Sequence, residues 1–195
     1  MSSLPQEKPY TYADLLEWED DVRYELYDGQ PVAFASPSDV HQRVLTALIL
    51  QIGTYLAGKR CTLYPAPFDV RLFEEAGDRS EDVYTVVQPD LIVVCDPNKV
   101  DRRGVHGAPD FVVEILSDST RHKDRLTKFK LYEQAGVKEY WIVDPASCVV
   151  LVHTLEEGRY HSPDVYTAGA KVPVGVLDDC QVDFSTVFAS FAKEK

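Results

Sequence analysis

The sequence predicts an α/β protein, and three stretches predict it. Residues 111–116 (FVVEIL), a helical stretch closed by Gly136, and residues 137–143 (VKEYWIV) read as strand, helix, strand. A crossover of that length joins two parallel strands with right-handed connection. In residues 24–34, Tyr24 and Leu26 and then Val32 and Phe34 flank Asp28-Gly29, the signal for a tight β-hairpin. Residues 40–57 repeat Val40, Val44, Leu48, Ile52 and then Tyr55 or Leu56 at helical spacing. The 195 residues suit one domain, 1–195, and contain no internal repeat or low-complexity segment.

The elements follow in order. Residues 10–18 form a short helix, with Thr11 as N-cap and Asp14 at the third helical position. The hairpin comes next, with Glu25 on its first strand. Ser38 caps the long helix, His41 falls in its first turn and Gly58 ends it. A lone histidine there reads, by itself, as a surface or hydrogen-bonded residue. Residues 61–72 alternate as a strand broken by Pro65 and Pro67, and the acidic residues 73–82 form a solvated loop. Strand 91–95 leads into DPNKVDRRGVHGAPD, a polar loop. Its Lys99, Arg102, Arg103 and His106 serve either as solvated charges or as phosphate contacts.

After strand 111–116, Ser119 or Thr120 caps the crossover helix. Leu126, Phe129 and Leu131 cover its sheet-facing side, while Asp124, Lys128 and Tyr132 share one face at i, i+4 and i+8. Taken alone, Asp124 and Lys128 are a surface pair worth about a few tenths of a kcal/mol. Residues 148–153 and 159–166 form a terminal hairpin around Glu156-Glu157-Gly158. Residues 183–191 form a short helix with Val187, Phe188 and Phe191 inward. The Phe and Tyr residues of these last elements are expected to lie partly exposed, which a homodimer would cover.

The net charge of -12 argues against a protein that holds nucleic acid mainly by charge, and leaves room for an enzyme that meets it at one local patch. No apolar run is long enough to span a bilayer, and MSSLPQEKPY has no basic region followed by an apolar core. A cytoplasmic location without membrane contact is expected. Cys61, Cys95, Cys148 and Cys180 are scattered, with no CxxC pair. Neither zinc nor a disulfide is expected, and all four read as small buried hydrophobes.

Two carboxylates stand where an apolar strand should have none. Asp90 opens QPDLIVVCD and Glu114 interrupts FVVEIL. A charge on a buried strand costs several kcal/mol unless something pairs with it, and a bound cation makes two such acids tolerable together. An acid opening one core strand, an acid inside the next and a lysine (Lys128) nearby are what metal-dependent phosphodiester cleavage requires. Carboxylates hold Mg²⁺ with several waters, the ion acidifies an attacking water, and the lysine orients that water or offsets transition-state charge. Asp96 and Asp110, beside Pro97 and Pro109, serve turns.

The set RYELYDGQPV, His41 heading a long helix, QPDLIVVCD, APDFVVEILSDST, DRLTKFKLYEQAGV and KEYWIVDP resembles the Uma2 family (DUF820) of restriction-endonuclease-like proteins, a branch of the PD-(D/E)XK nuclease superfamily. The resemblance covers nearly the whole chain. It implies a mixed central β-sheet flanked by helices, a restriction-endonuclease-like core with N-terminal and C-terminal hairpin additions. It places Asp90 at the acid of the PD motif and Glu114 at the acid of the (D/E)XK motif. Leu116 stands where that motif has its lysine, and Lys128 matches a family position to which the lysine has migrated. Glu25 resembles the upstream acid that serves as an additional metal ligand, and His41 matches a position facing the same cleft. The implied function is a Mg²⁺-dependent endonuclease, with Mn²⁺ as the alternative ion and DNA as substrate. Asp90, Glu114, Glu25 and the carbonyl of Ile115 would be ligands, and Lys128 and His41 catalytic helpers. A second reading, favoured by the acidic composition, is a nuclease fold serving as a binding or assembly module.

Overall fold

Uninterrupted apolar strands need cover on both faces, and the chain supplies it by layering. The computed structural model describes residues 8–18, 22–34, 36–117 and 124–189, without the side chains of 124 and 125. The chain runs α1 (Tyr12–Glu17), β1 (Tyr24–Tyr27), β2 (Gln30–Ala33), α2 (Asp39–Leu56), β3 (Thr62–Pro65), β4 (Val70–Arg71) and β5 (Val86–Val87). Then follow β6 (Leu91–Val94), β7 (Val100–Asp101), β8 (Gly104–His106), β9 (Phe111–Ile115), a π-helical turn (Asp124–Lys128) continuing as α3 (Phe129–Ala135), and β10 (Glu139–Asp144). The C-terminal part comprises β11 (Val149–Glu156), β12 (Arg159–Tyr160), β13 (Asp164–Thr167), β14 (Lys171–Pro173), β15 (Gln181–Asp183) and α4 (Phe184–Ala189).

The central sheet has the order β12-β11-β10-β9-β6-β3, with β13 also paired to β11. Only β9 and β10 run parallel within it, so the sheet is mixed, as the crossover and the resemblance imply. Alternate residues face opposite layers. Leu91, Val93, Phe111, Val113, Trp141 and Val143 pack with Val44, Leu48 and Ile52 of α2 and with Phe184 and Phe188 of α4. Ile92, Val94, Val112, Tyr140 and Ile142 pack instead with Tyr132 of α3 and with Val70, Val87 and Val105 of a second sheet, ordered β2-β1-β5-β4-β8-β7.

Local signals behave as their chemistry demands. Thr11 and Asp14 form a reciprocal capping box on α1, and Ser38 accepts the backbone N–H of His41 at the head of α2. The β1–β2 turn places Asp28 and Gly29 at φ 50° and 75°. A side chain at Gly29 would also strike Pro9, since a Cβ there would sit 2.3 Å from the Pro9 Cβ. Asp96 caps the turn at Asn98 as expected, whereas Asp110 accepts the N–H of Cys95 and the ammonium of Lys138, tying distant segments together and serving no turn.

Several expectations are corrected. Cys61 and Cys95 are disulfide-bonded; the β3–β6 register pairs Thr62 with Val94, which brings the preceding and following residues face to face. Of the other two, Cys180 is buried and Cys148 half-buried, and both are free thiols. The polar loop after β6 contains the β7–β8 hairpin, whose two- and three-residue strands carry no readable periodicity. The aromatic residues expected to support a homodimer are covered by their own chain: Phe184, Phe188 and Tyr160 are buried and Tyr166 packs half-buried against the core. The helix caps at Ser119 and Thr120, and Phe191, lie outside the described residues. No helix among the described residues is long and apolar enough to cross a membrane.

Candidate active site

The site forms where the central sheet ends beneath the β1–β2 hairpin. The β6–β9 ladder ends at the pair Leu91 and Val113, and Asp90 and Glu114 are the next residues beyond it on the two chains. The backbone N–H of Ile115, the residue after Glu114, donates to Asp90 at 2.7 Å and ties the two strand ends together at these acids. Both line one cleft of about 330 Å³, together with Glu25, His41, Ile115 and Lys128. The six residues that the resemblance assigns to the site therefore line the same cavity.

Asp90 is held by two donors on one oxygen. Its Oδ2 accepts the backbone N–H of Ile115 at 2.7 Å and Nε2–H of His41 at 3.0 Å. An ionised carboxylate only accepts, so the histidine proton lies on Nε2. Oδ1 of Asp90 makes no hydrogen bond among the described residues. His41 is buried at the first turn of α2, with Nδ1 lacking a partner among the described residues. It is a buried hydrogen-bonded residue facing the cleft, not a surface one.

Glu114 and Lys128 form the centre. Glu114 shares the sheet face of Val112, toward α3, where Oε1 accepts from Lys128 Nζ at 2.7 Å and from the Tyr132 hydroxyl at 2.7 Å. Lys128 Nζ also lies 3.0 Å from Oε1 of Glu25. Glu25 accepts the Gln88 N–H at 2.8 Å on Oε1 and the Tyr27 hydroxyl on Oε2. Glu25, Glu114 and Lys128 are each about 3% exposed.

This corrects the helix-face expectation. Lys128 and Tyr132 face the sheet, Leu126 is exposed, and Phe129 and Leu131 are half-buried. The surface-pair reading of Lys128 fails with it, and the side chain of Asp124 lies outside the described residues. The cause is the sheet: a buried Glu114 needs donors more than the helix needs an apolar seam.

Burial works to strip Lys128 of its proton, but the Glu114 and Glu25 carboxylates override it and hold its pKa well above the ordinary lysine range. Lys128 thus stays an ammonium at neutral pH. Burial, reinforced by Glu114, pushes the Tyr132 phenol well above its ordinary value. Burial likewise raises Tyr27, with Glu25 adding to the rise and Lys128 opposing it. Both hydroxyls are donors and not bases. Three carboxylates, Glu25, Asp90 and Glu114, line the cleft against two fixed cations, Lys128 and Arg23, an excess of acid that a divalent cation would offset.

The residues fit a hard divalent ion. Donors are oxygens, and Asp90 lines the cleft with Oδ1 bonded to none of the described residues. Glu25 has both oxygens engaged and would enter the metal's shell only by releasing Tyr27 or Lys128. Among the described residues no three His, Cys, Asp or Glu are gathered as a metal shell. Two carboxylates completed by a backbone carbonyl and waters match what Mg²⁺ accepts. The basic loop residues Lys99, Arg102, Arg103 and His106 do not line this cleft; Lys99 and His106 bond backbone carbonyls of Ala108 and Asn98.

Sequence reasoning gave no role to Tyr27, Tyr132 or the Gln88 N–H. Two of them carried a signal: Tyr132 is one helical turn from Lys128, and Tyr27 is two strand residues from Glu25.

Comparisons with known proteins bear on the family and the fold. The family model Uma2, described as "Putative restriction endonuclease", matches residues 12–184. An uncharacterized protein of Synechocystis sp. is 30% identical over 162 residues, covering 80% of this chain and 78% of that protein. The crystal structure of "a putative nuclease belonging to DUF820" from Anabaena variabilis superposes with a TM-score of 0.74 at 17% identity. It covers 93% of this chain and 99% of that one, a likeness of fold.

Proposed function

The chain belongs to the Uma2 family of restriction-endonuclease-like proteins, and on that premise we propose that its cleft hydrolyses phosphodiester bonds of DNA with a divalent cation. The observation that carries the proposal is the convergence of Asp90 and Glu114 on one cleft, with Lys128 bonded to Glu114. Asp90, Glu114 and the carbonyl of Ile115 would hold Mg²⁺ or Mn²⁺. When bound, the ion supplies Lewis-acid polarisation of a phosphoryl oxygen and an acidified water.

The chain's own residues do the rest. Lys128, kept protonated, is not a general base; it offsets negative charge developing on the phosphoryl group. Glu25 and Tyr132 hold the ammonium and Glu114 in place. His41 orients the Asp90 carboxylate through Nε2, and Oδ1 carries no hydrogen bond among the described residues. Leu116 is buried at the end of β9, so the helix-borne Lys128 supplies the positive charge that the superfamily motif takes from the strand.

The test is cleavage of single- and double-stranded DNA in Mg²⁺ or Mn²⁺, beside Asp90→Asn and Lys128→Met. Activity lost in both variants is expected. Cleavage surviving in both marks a contaminant, and no cleavage by the unaltered protein removes the assignment. The net charge of -12 favours the second reading, a nuclease fold used for binding or assembly, and the same assay separates the two.

A further inference from the structure

The mouth of the cleft differs in chemistry from its floor. Arg23, just before β1, and Glu25 and Tyr27 within it alternate onto one face, and all three line the cleft. Glu25 is buried at the floor, whereas Arg23, two residues and so about 7 Å of strand away, is exposed at the mouth. The N–H of Phe34 donates to the carbonyl of Arg23, which extends the β1–β2 ladder by one pair beyond Tyr24 and Ala33. That pairing sets the Arg23 guanidinium 5.8 Å from the centre of the Phe34 ring, and the half-buried ring also lines the cleft.

Of the basic side chains lining the cleft, Lys128 and His41 are bonded to carboxylates at the floor. Arg23 has no carboxylate partner among the described residues. A duplex would find one available cation in an acidic cleft, too few to replace its counterions. Its bases, stacked on each other, could not use the ring. A cleft of about 330 Å³ has room for about one nucleotide. An unpaired strand matches all three features, because its splayed base can stack on an aromatic ring while arginine meets the phosphate.

We propose that Arg23 and Phe34 form a subsite for the nucleotide next to the scissile one, so that the cleft takes unpaired, single-stranded nucleic acid and not continuous duplex. This rests on the reading of the cleft as a phosphodiester site. The ring stacks on the base and the guanidinium pairs with the adjoining phosphate.

The test is fluorescence anisotropy of the full chain with a labelled DNA oligonucleotide of about 12 nucleotides, within the span that single-strand binding folds cover. The probe is presented alone and as blunt duplex, in Ca²⁺, a hard cation with the same preference for oxygen. The single strand is expected to bind at least tenfold more tightly. Arg23→Ala and Phe34→Ala should each weaken it at least about fivefold, the loss of one stacked base or more. Phe34→Trp should keep it, and Tyr84→Ala, an exposed aromatic off the cleft, should change nothing. Arg23→Ala should also flatten the salt dependence by about 0.7 in slope. Circular dichroism melts verify that the rim variants fold.

Duplex bound as tightly as single strand, indifference to both rim variants, or no binding of the single strand overturns the subsite. Cleavage in Mg²⁺ is read separately. Binding through Arg23 and Phe34 without cutting keeps the subsite and removes the nuclease, whereas duplex cutting unaffected by either variant does the reverse.

Discussion

Replacing Lys128 by methionine should be among the most destabilising single changes in the protein. Methionine keeps the length and apolar bulk of the stem and removes the charge. Lys128 is 3% exposed and stands 2.7 Å from Glu114 and 3.0 Å from Glu25. Without it, two carboxylates that are themselves 3% exposed lose a shared cation. Removing one member of a buried ion pair costs about 3–5 kcal/mol, mostly the penalty of the charge left behind. A loss of about 4 kcal/mol lowers Tm by roughly 8–16 °C in a chain of this size. Urea unfolding followed by circular dichroism should show a lower midpoint with an unchanged slope. Adding Glu114→Gln to Lys128→Met should recover part of the loss, because it removes one orphaned charge, with a coupling of about 2 kcal/mol. A single-variant loss under about 1 kcal/mol, the value of an exposed pair, would refute the buried triad.

Three further outcomes are expected. Millimolar Mg²⁺ should raise Tm, by about 2.7 kcal/mol of stabilisation at a hundredfold excess over Kd, and Asp90→Asn should abolish the rise; a flat melting curve removes the metal site. Burial opposes ionisation of Asp110, but Lys138 and the Cys95 N–H hold its carboxyl below the usual range. Its contribution is therefore present above about pH 4, the unfolded value, and is lost as pH falls through the lower folded value. Asp110→Asn should cost under about 1 kcal/mol at neutral pH, since Lys138 is largely exposed, and the difference should close in acid, as pH-dependent urea midpoints will show. Denatured, unreduced protein should present two reactive thiols, Cys148 and Cys180, rising to four after reduction; four without reduction would contradict the Cys61–Cys95 bond.

Much of the fold was legible because its signals are local. Thr11 with Asp14, Ser38, Asp28-Gly29 and Gly136 act within a few residues, and each sits at the terminus or turn it signals. Asp90 and Glu114 stood out because a carboxylate on an apolar strand has an energetic cost that is visible without coordinates. Hydropathy misjudged the crossover helix: it turned Leu126 inward, whereas the structure exposes Leu126 and buries Lys128 and Tyr132. An amphipathic pattern assumes an apolar partner surface, and here that surface carries Glu114.

The sequence by itself determined the α/β class, the order of most elements and the residues with an unusual cost of burial. Tertiary structure decided which of those residues meet. Asp90 and Glu114 come to one cleft because β6 lies beside β9, and Glu25 reaches Lys128 across 103 positions. Cys61 meets Cys95 because β3 lies beside β6. Arg23 and Phe34 acquire a use only where the hairpin roofs the acids. Capping and turn energies are set by neighbours along the chain, so they can be read from it. Register, burial and charge pairing are set by neighbours in space, which only the packed chain supplies.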